Sequence, residues 1–173
     1  MKLLIFLLLT IGIAAFSWPY LRNPRAHGFF RFFAFETVVL LVLANSKFWF
    51  QDPFAMQQII SWLLLISSLL LVIHGIYLLR KFGEPGIGLE DTTQLVTSGA
   101  YRYIRHPMYC SLLLFGAGVL LKHVSLTSVS LYIALIAFLI ATGRIEESEN
   151  SLHFGKQYSD YVKMTKMFVP YIF

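Results

Sequence analysis

The stretch Pro107-Met-Tyr-Cys-Ser-Leu-Leu-Leu-Phe-Gly-Ala-Gly-Val-Leu-Leu-Lys-His-Val124 decides how this chain folds. From Pro107 to Leu121 it is uncharged and apolar. Pro107 suits the first position of a helix, where a missing N–H forfeits no hydrogen bond. Lys122-His123 is the whole turn before a second apolar run, Val124 to Thr142. Two apolar helices joined so tightly must run antiparallel, as a hairpin. The first is shorter than the roughly 20 residues of a full crossing, so it is expected to start below the headgroups or stop short of the far side.

Three more apolar segments precede the hairpin. They run from Leu3 to Phe16, followed by the interfacial pair Trp18 and Tyr20, from Phe29 to Phe50, and from Ile59 to Leu79. The 173 residues are 57% hydrophobic, 16% aromatic and only 13% charged, far outside the range of soluble domains. The expected fold class is all-α: one polytopic membrane domain of about five transmembrane helices, with a C-terminal helical segment outside the bilayer. Residues 1–80 hold three spans, 81–106 a loop, 107–142 the hairpin and 143–173 a tail.

Charge placement supports five crossings. One side collects Arg22, Arg25, Arg31, Arg80, Lys81, Arg102, Arg105, Arg144, Lys156, Lys163 and Lys166, and the other keeps Lys2, Lys47 and Lys122. By the positive-inside rule the N-terminus is expected outside the cytoplasm, with the 80–106 loop and the tail on the cytoplasmic side. Lys2, the short apolar core and Ala14-Ala15 also fit a cleaved leader. Cleavage would scramble the charge sorting, so the segment is read as a span. The net charge of +5 follows from this asymmetry and calls for no nucleic-acid partner, while a basic inner face favours anionic lipid headgroups. The lone Cys110 and five scattered histidines offer no disulfide framework and no metal cage.

Polar residues concentrate in two places. Leu95 to Tyr109 packs Arg102, Arg105, His106 and three tyrosines against the mouth of the fourth span, and Arg144, Glu146 and Glu147 follow the fifth. The hairpin brings these clusters to one side of the bilayer. Singly, each residue also fits a blander role as a positive-inside anchor, an aromatic belt member or a solvated helix start. Gly83, Glu84-Pro85-Gly86 and Gly88 read as turns after the third span, not as a phosphate loop. Phe154, Tyr158, Tyr161 and Val162 have the spacing of a helix on or near the membrane surface. Inside the spans, Glu36 and His74 are costly in lipid, and pairing of Glu36 with Arg31 is the expected remedy.

Gly99-Ala-Tyr101, Arg105-His-Pro-Met-Tyr109, Glu146-Glu147, Phe154-Gly155, Tyr158 with Tyr161, and Val169-Pro170 appear in that order. This pattern resembles the integral membrane methyltransferases typified by isoprenylcysteine carboxyl methyltransferase, with the phospholipid methyltransferases as relatives. The resemblance covers residues 93 to 171. It implies an S-adenosylmethionine pocket facing the cytoplasm, with cofactor contacts at Gln94, Leu95, Val96, Tyr101, His106, Pro107, Met108, Tyr109 and Glu146. The eukaryotic prenylcysteine enzymes place an arginine four residues before the cofactor glutamate. This chain has Thr142 there, with Arg144 half a turn away as the substitute.

These residue types suit that cofactor. His106 and amides at the start of the fourth helix can donate to its carboxylate, Glu146 can accept from its ammonium or ribose, and Tyr101, Tyr109 and Met108 can cover the adenine or sulfonium. The expected reaction is methyl transfer to a lipophilic small-molecule or prenylated acceptor entering from the bilayer. Arg105 or Arg144 would hold the acceptor's anionic part, and Glu147 would serve as base where the acceptor is a phospholipid amine. A thiol acceptor, a membrane reductase using NADPH on a similar core, and a non-catalytic membrane protein are the alternatives.

Overall fold

The computed structural model describes residues 1–86 and 92–173; Gly88, one of the turn glycines, lies outside them. Six α-helices occur among the described residues: α1 (Lys2–Leu21), α2 (His27–Asn45), α3 (Met56–Phe82), α4 (Pro107–Leu120), α5 (Leu126–Phe154) and α6 (Lys156–Met164). Short 3-10 turns occupy Ser46–Phe48 and Gly99–Arg102. By length and composition, α1, α2, α3 and α5 can each cross a membrane. The 14 residues of α4 span roughly 21 Å against a hydrocarbon core of about 30 Å, so this helix is short, as its sequence indicates.

The chief departure from the sequence reading is at the hairpin's second arm. No separate tail helix begins at Arg144; α5 continues unbroken to Phe154. Between Gly143 and Gly155 there is neither glycine nor proline to stop it. The helix ends at Gly155, whose φ of +55° suits a residue without a Cβ, and α6 starts immediately after. At 29 residues α5 is roughly 43 Å long, so its polar last turns project beyond the bilayer.

The chain divides into two compact units, one of residues 1–65 with 113–146 and the other of residues 66–112 with 147–173. In the first unit Thr10 Oγ1 on α1 donates to Glu36 Oε2 on α2 at 2.8 Å. That contact satisfies part of the intramembrane carboxylate for which Arg31 was the expected partner. Arg31 is buried, with its guanidinium 5.4 Å from the Phe16 ring centroid and 5.3 Å from that of Tyr20. Leu41, Leu65 and Val119 form the unit's apolar centre.

The hairpin helices approach their neighbours through small residues. A Cβ on Gly116 would stand 2.6 Å from Leu135 on α5, and one on Gly118 would stand 2.8 Å from Leu65 on α3. Ser61 Oγ donates to the Gly118 carbonyl at 2.7 Å, and the Asn45 amide donates to Ser128 Oγ at 3.0 Å. The turn is held by Lys122, which is buried with Nζ 3.7 Å from the Trp62 ring centroid and 3.2 Å from Gln58 Oε1.

Candidate functional site at the foot of α4

In the second unit, the end of α3 is covered by the segment that follows it. Leu78 and Leu79 bury against Val96 and Tyr101, with Ala100 and Met108 packed around them. The turn is formed at Gly83, whose carbonyl accepts from the amides of Thr93 and Gln94 at 3.0 and 3.1 Å. Gly99 adopts φ +59°, and a Cβ there would stand 2.6 Å from Leu78 Cδ1, so both backbone and space require glycine. The 3-10 turn Gly99–Arg102 then delivers Tyr101 inward and leads the chain to His106 and α4.

The tail straps this segment in place. Residues 104 and 166 form a parallel bridge, and the amides of Arg105 and His106 donate to the carbonyls of Lys166 and Met167 at 2.7 and 3.2 Å. The Lys166 amide returns to the Tyr103 carbonyl at 3.2 Å, and the buried Tyr161 hydroxyl donates to the Tyr101 carbonyl at 2.6 Å. α6 presents Tyr158 and Tyr161 inward and leaves its charged residues outside. Its helical spacing is therefore that of a cover for the 101–106 segment. Burial pushes the Tyr161 phenol well above the ordinary tyrosine range.

Arg105, His106 and Glu147 are the polar heart of the unit. Arg105 Nε donates to Glu147 Oε1 at 2.5 Å and Nη1 donates to the Thr165 carbonyl at 2.6 Å. His106 Nε2 lies 3.3 Å from the same carboxylate oxygen, and its ring stacks on Tyr109 at 5.4 Å with 19° between planes. Burial alone would raise the Glu147 pKa, but hydrogen bonds from His106 and Arg105, together with their charge, outweigh it. The group, two turns from the end of α5 and past the apolar span, is held below the usual carboxylate range.

The candidate residues thus sort as follows. Gln94, Leu95, Val96, Tyr101, Arg105, His106, Pro107, Met108, Tyr109 and Glu147 lie in this one unit; Arg144 and Glu146 are counted with the other. Val96, Tyr101, His106, Pro107 and Tyr109 are buried, Leu95 and Met108 are half-buried, and Gln94 and Arg144 are exposed. Sequence reasoning missed the strap residues Thr165, Lys166 and Met167, which act through backbone groups and leave no side-chain signature. The three-residue spacing of Tyr158 and Tyr161 was the one visible trace of the strap.

At the foot of α4 the unit sets aromatic rings beside backbone donors of the first helical turn. His106 supplies a buried ring, Tyr109 and Tyr101 supply aromatic rings beside it, and α4 begins with Pro107-Met108-Tyr109, where the Met108 and Tyr109 amides have no intrahelical acceptor.

A family model described as phospholipid methyltransferase matches residues 56–159, from the start of α3 into α6. Protein-S-isoprenylcysteine O-methyltransferase A of Arabidopsis thaliana is 32% identical over 88 residues, which is 50% of this chain and 44% of that protein. The chain therefore matches less than half the length of that relative. No solved structure matches. The matched region contains the hairpin, the 94–109 segment and Glu147 together, and this polytopic membrane chain belongs to the phospholipid methyltransferase family.

Proposed function

We propose that the chain is a membrane methyltransferase that uses S-adenosylmethionine to methylate a lipophilic acceptor of the isoprenylcysteine carboxylate type. The observation that carries this reading is the buried His106–Tyr109 pair at the N-terminus of α4, fixed from outside by Arg105, Glu147 and the tail. This donor set fits the cofactor. His106 and the Met108 and Tyr109 amides suit its carboxylate, Tyr101, Tyr109 and half-buried Met108 suit its adenine and sulfonium, and Gln94, Leu95 and Val96 supply an edge of extended backbone. Glu146, by resemblance, accepts from its ammonium or ribose. When bound, the cofactor supplies a methyl group on a positively charged sulfur, which leaves as a neutral thioether without needing an acid.

The chain's own residues therefore mostly position. Arg105 commits Nε and one Nη to Glu147 and the tail, and so acts by holding His106 in place. Arg144, exposed on α5, remains for the acceptor's anionic end. Glu147 is a poor base for a protonated amine, because its partners hold it ionised below the usual carboxylate range. That favours an acceptor already ionised, a carboxylate, over a phospholipid amine. The eleven-to-three charge sorting supports a cytoplasmic site with the N-terminus on the opposite side.

The test uses the full chain in phosphatidylcholine vesicles with methyl-labelled S-adenosylmethionine. N-acetyl-S-farnesylcysteine and phosphatidylethanolamine are offered in turn. A methyl ester releases labelled methanol in alkali, whereas an N-methyl product does not. Label released by alkali from the first substrate is the expected result. Alkali-stable label in the second would replace the acceptor assignment. Saturable calorimetric binding of NADPH, with none of S-adenosylmethionine or S-adenosylhomocysteine, would overturn the reading altogether.

A further inference from the structure

The lipid-facing side of α3 in the second unit is apolar at Ile66, Leu69, Leu70 and Ile73, all exposed as a bilayer surface requires. His74, Tyr77 and Lys81 interrupt it, and their spacing of three and four residues places them on one face. All three are exposed. Lys81 Nζ donates to the Tyr77 hydroxyl at 2.8 Å and lies 5.3 Å from its ring centroid. His74 Nε2 is 2.8 Å from the point where a Cβ would stand on Gly99. The imidazole therefore rests on the turn that carries buried Tyr101.

The depth of this stripe is set by helix geometry. α3 has 27 residues and is roughly 40 Å long, about 10 Å more than the hydrocarbon core. Its last turn, with Arg80 and Lys81, reaches the headgroups. His74 stands roughly 12 Å back from the Phe82 end, just inside the hydrocarbon. Among the described residues His74 has no hydrogen-bond partner. An imidazole at such a depth is costly, and polar side chains placed there mark ligand paths.

We infer that His74, Tyr77 and Lys81 form a binding site for an acidic amphiphile, with its chains along α3 and its anionic group between Lys81 and His74. Charge complementarity selects the occupant: Arg80 and Lys81 are basic, His74 and Tyr77 donate hydrogen bonds, and the surrounding face accepts acyl chains. Phosphate and carboxylate share this chemistry. The site adjoins the Gly99 turn and is independent of whether the chain transfers methyl groups.

Electron paramagnetic resonance of the full chain in phosphatidylcholine vesicles tests it. Spin-labelled phosphatidic acid, stearic acid and phosphatidylcholine are compared for the fraction immobilised against the protein. At least one acidic label should be selected about fivefold over phosphatidylcholine, the equivalent of about 1 kcal/mol for one basic residue near a headgroup. Selection of phosphatidic acid identifies a phospholipid occupant, and of stearic acid a free carboxylate. His74→Leu and Lys81→Gln should each lower the selectivity, Lys81→Arg should keep it, and Lys163→Gln on α6 should not alter it. Thermal unfolding midpoints, measured on the same samples, confirm that each variant is folded. Equal immobilisation of all labels by the unaltered protein, or selectivity that survives His74→Leu combined with Lys81→Gln, overturns the inference.

Discussion

Arg105 and Glu147, 42 positions apart in sequence, meet at 2.5 Å between Nε and Oε1, and the same guanidinium reaches the Thr165 carbonyl at 2.6 Å. One side chain thus joins the foot of α4, the end of α5 and the tail. Both partners are largely withdrawn from solvent, with side-chain exposures of 10% and 21%. Arg105→Ala should cost about 2 to 3 kcal/mol, the range of hydrogen bonds to charged groups, seen as a lowered unfolding midpoint in detergent. Arg105→Lys should recover less than half, because an ammonium cannot span two acceptors as a planar fork does.

The same contact sets an acid limit. The Glu147 pKa is lowered in the folded state, so its stabilising contribution is fully present above the ordinary value of 4.5 and is lost as pH falls through the folded value. Unfolding midpoints measured at descending pH should fall below that ordinary value in the unaltered protein, and fall less steeply in Glu147→Gln. Equal slopes would show that another carboxylate governs acid loss.

Much of this was legible in the residues. Apolar run lengths and Pro107 located the hairpin, because burial in lipid leaves few alternatives for an uncharged segment. The polar cluster at 95–109 was legible for the converse reason, that charge at a bilayer edge is conspicuous. Three features were not. The continuation of α5 through Arg144 depended on the absence of a breaker before Gly155, which periodicity does not register. The strap of 165–167 is made of backbone amides and carbonyls, which every sequence has. The family match reaches back to Met56, yet α3 displays mainly hydrophobicity there, which carries little identity.

Tyr161 closes the strap through a single hydroxyl. Tyr161→Phe keeps the ring and its burial but leaves the Tyr101 carbonyl without that donor, at a cost of about 1 to 2 kcal/mol. The phenol is pushed above its ordinary range. Spectrophotometric titration of the folded protein should therefore lose no phenolate signal on Tyr161→Phe until the alkaline pH at which the chain unfolds.

At the hairpin turn, Lys122 offers a separate check on the membrane-side packing. Its ammonium lies over Trp62 and against Gln58. Lys122→Met keeps the volume and removes the cation, so it should cost about 1 to 2 kcal/mol and shift tryptophan emission. The proposed methyl transfer, measured below the unfolding midpoint, should stay unchanged, since Lys122 lies just before the start of α5, roughly 30 Å along that helix from Glu146.

The proposed function gives the adjacent carboxylates of α5 different roles. Glu146 and Glu147 are about 100° apart around the helix axis, so one cannot replace the other. Glu147 is engaged by Arg105 and His106. Glu147→Gln should thus lower the unfolding midpoint and weaken S-adenosylhomocysteine only as far as His106 loosens. On the proposed cofactor role, Glu146→Gln should weaken S-adenosylhomocysteine more than Glu147→Gln does, by about tenfold or more, the effect of losing about 1.4 kcal/mol from a charge-assisted contact. Calorimetric titration beside thermal unfolding distinguishes the two. The opposite pattern would make Glu147 the cofactor's acceptor and require Arg105 to release it on binding.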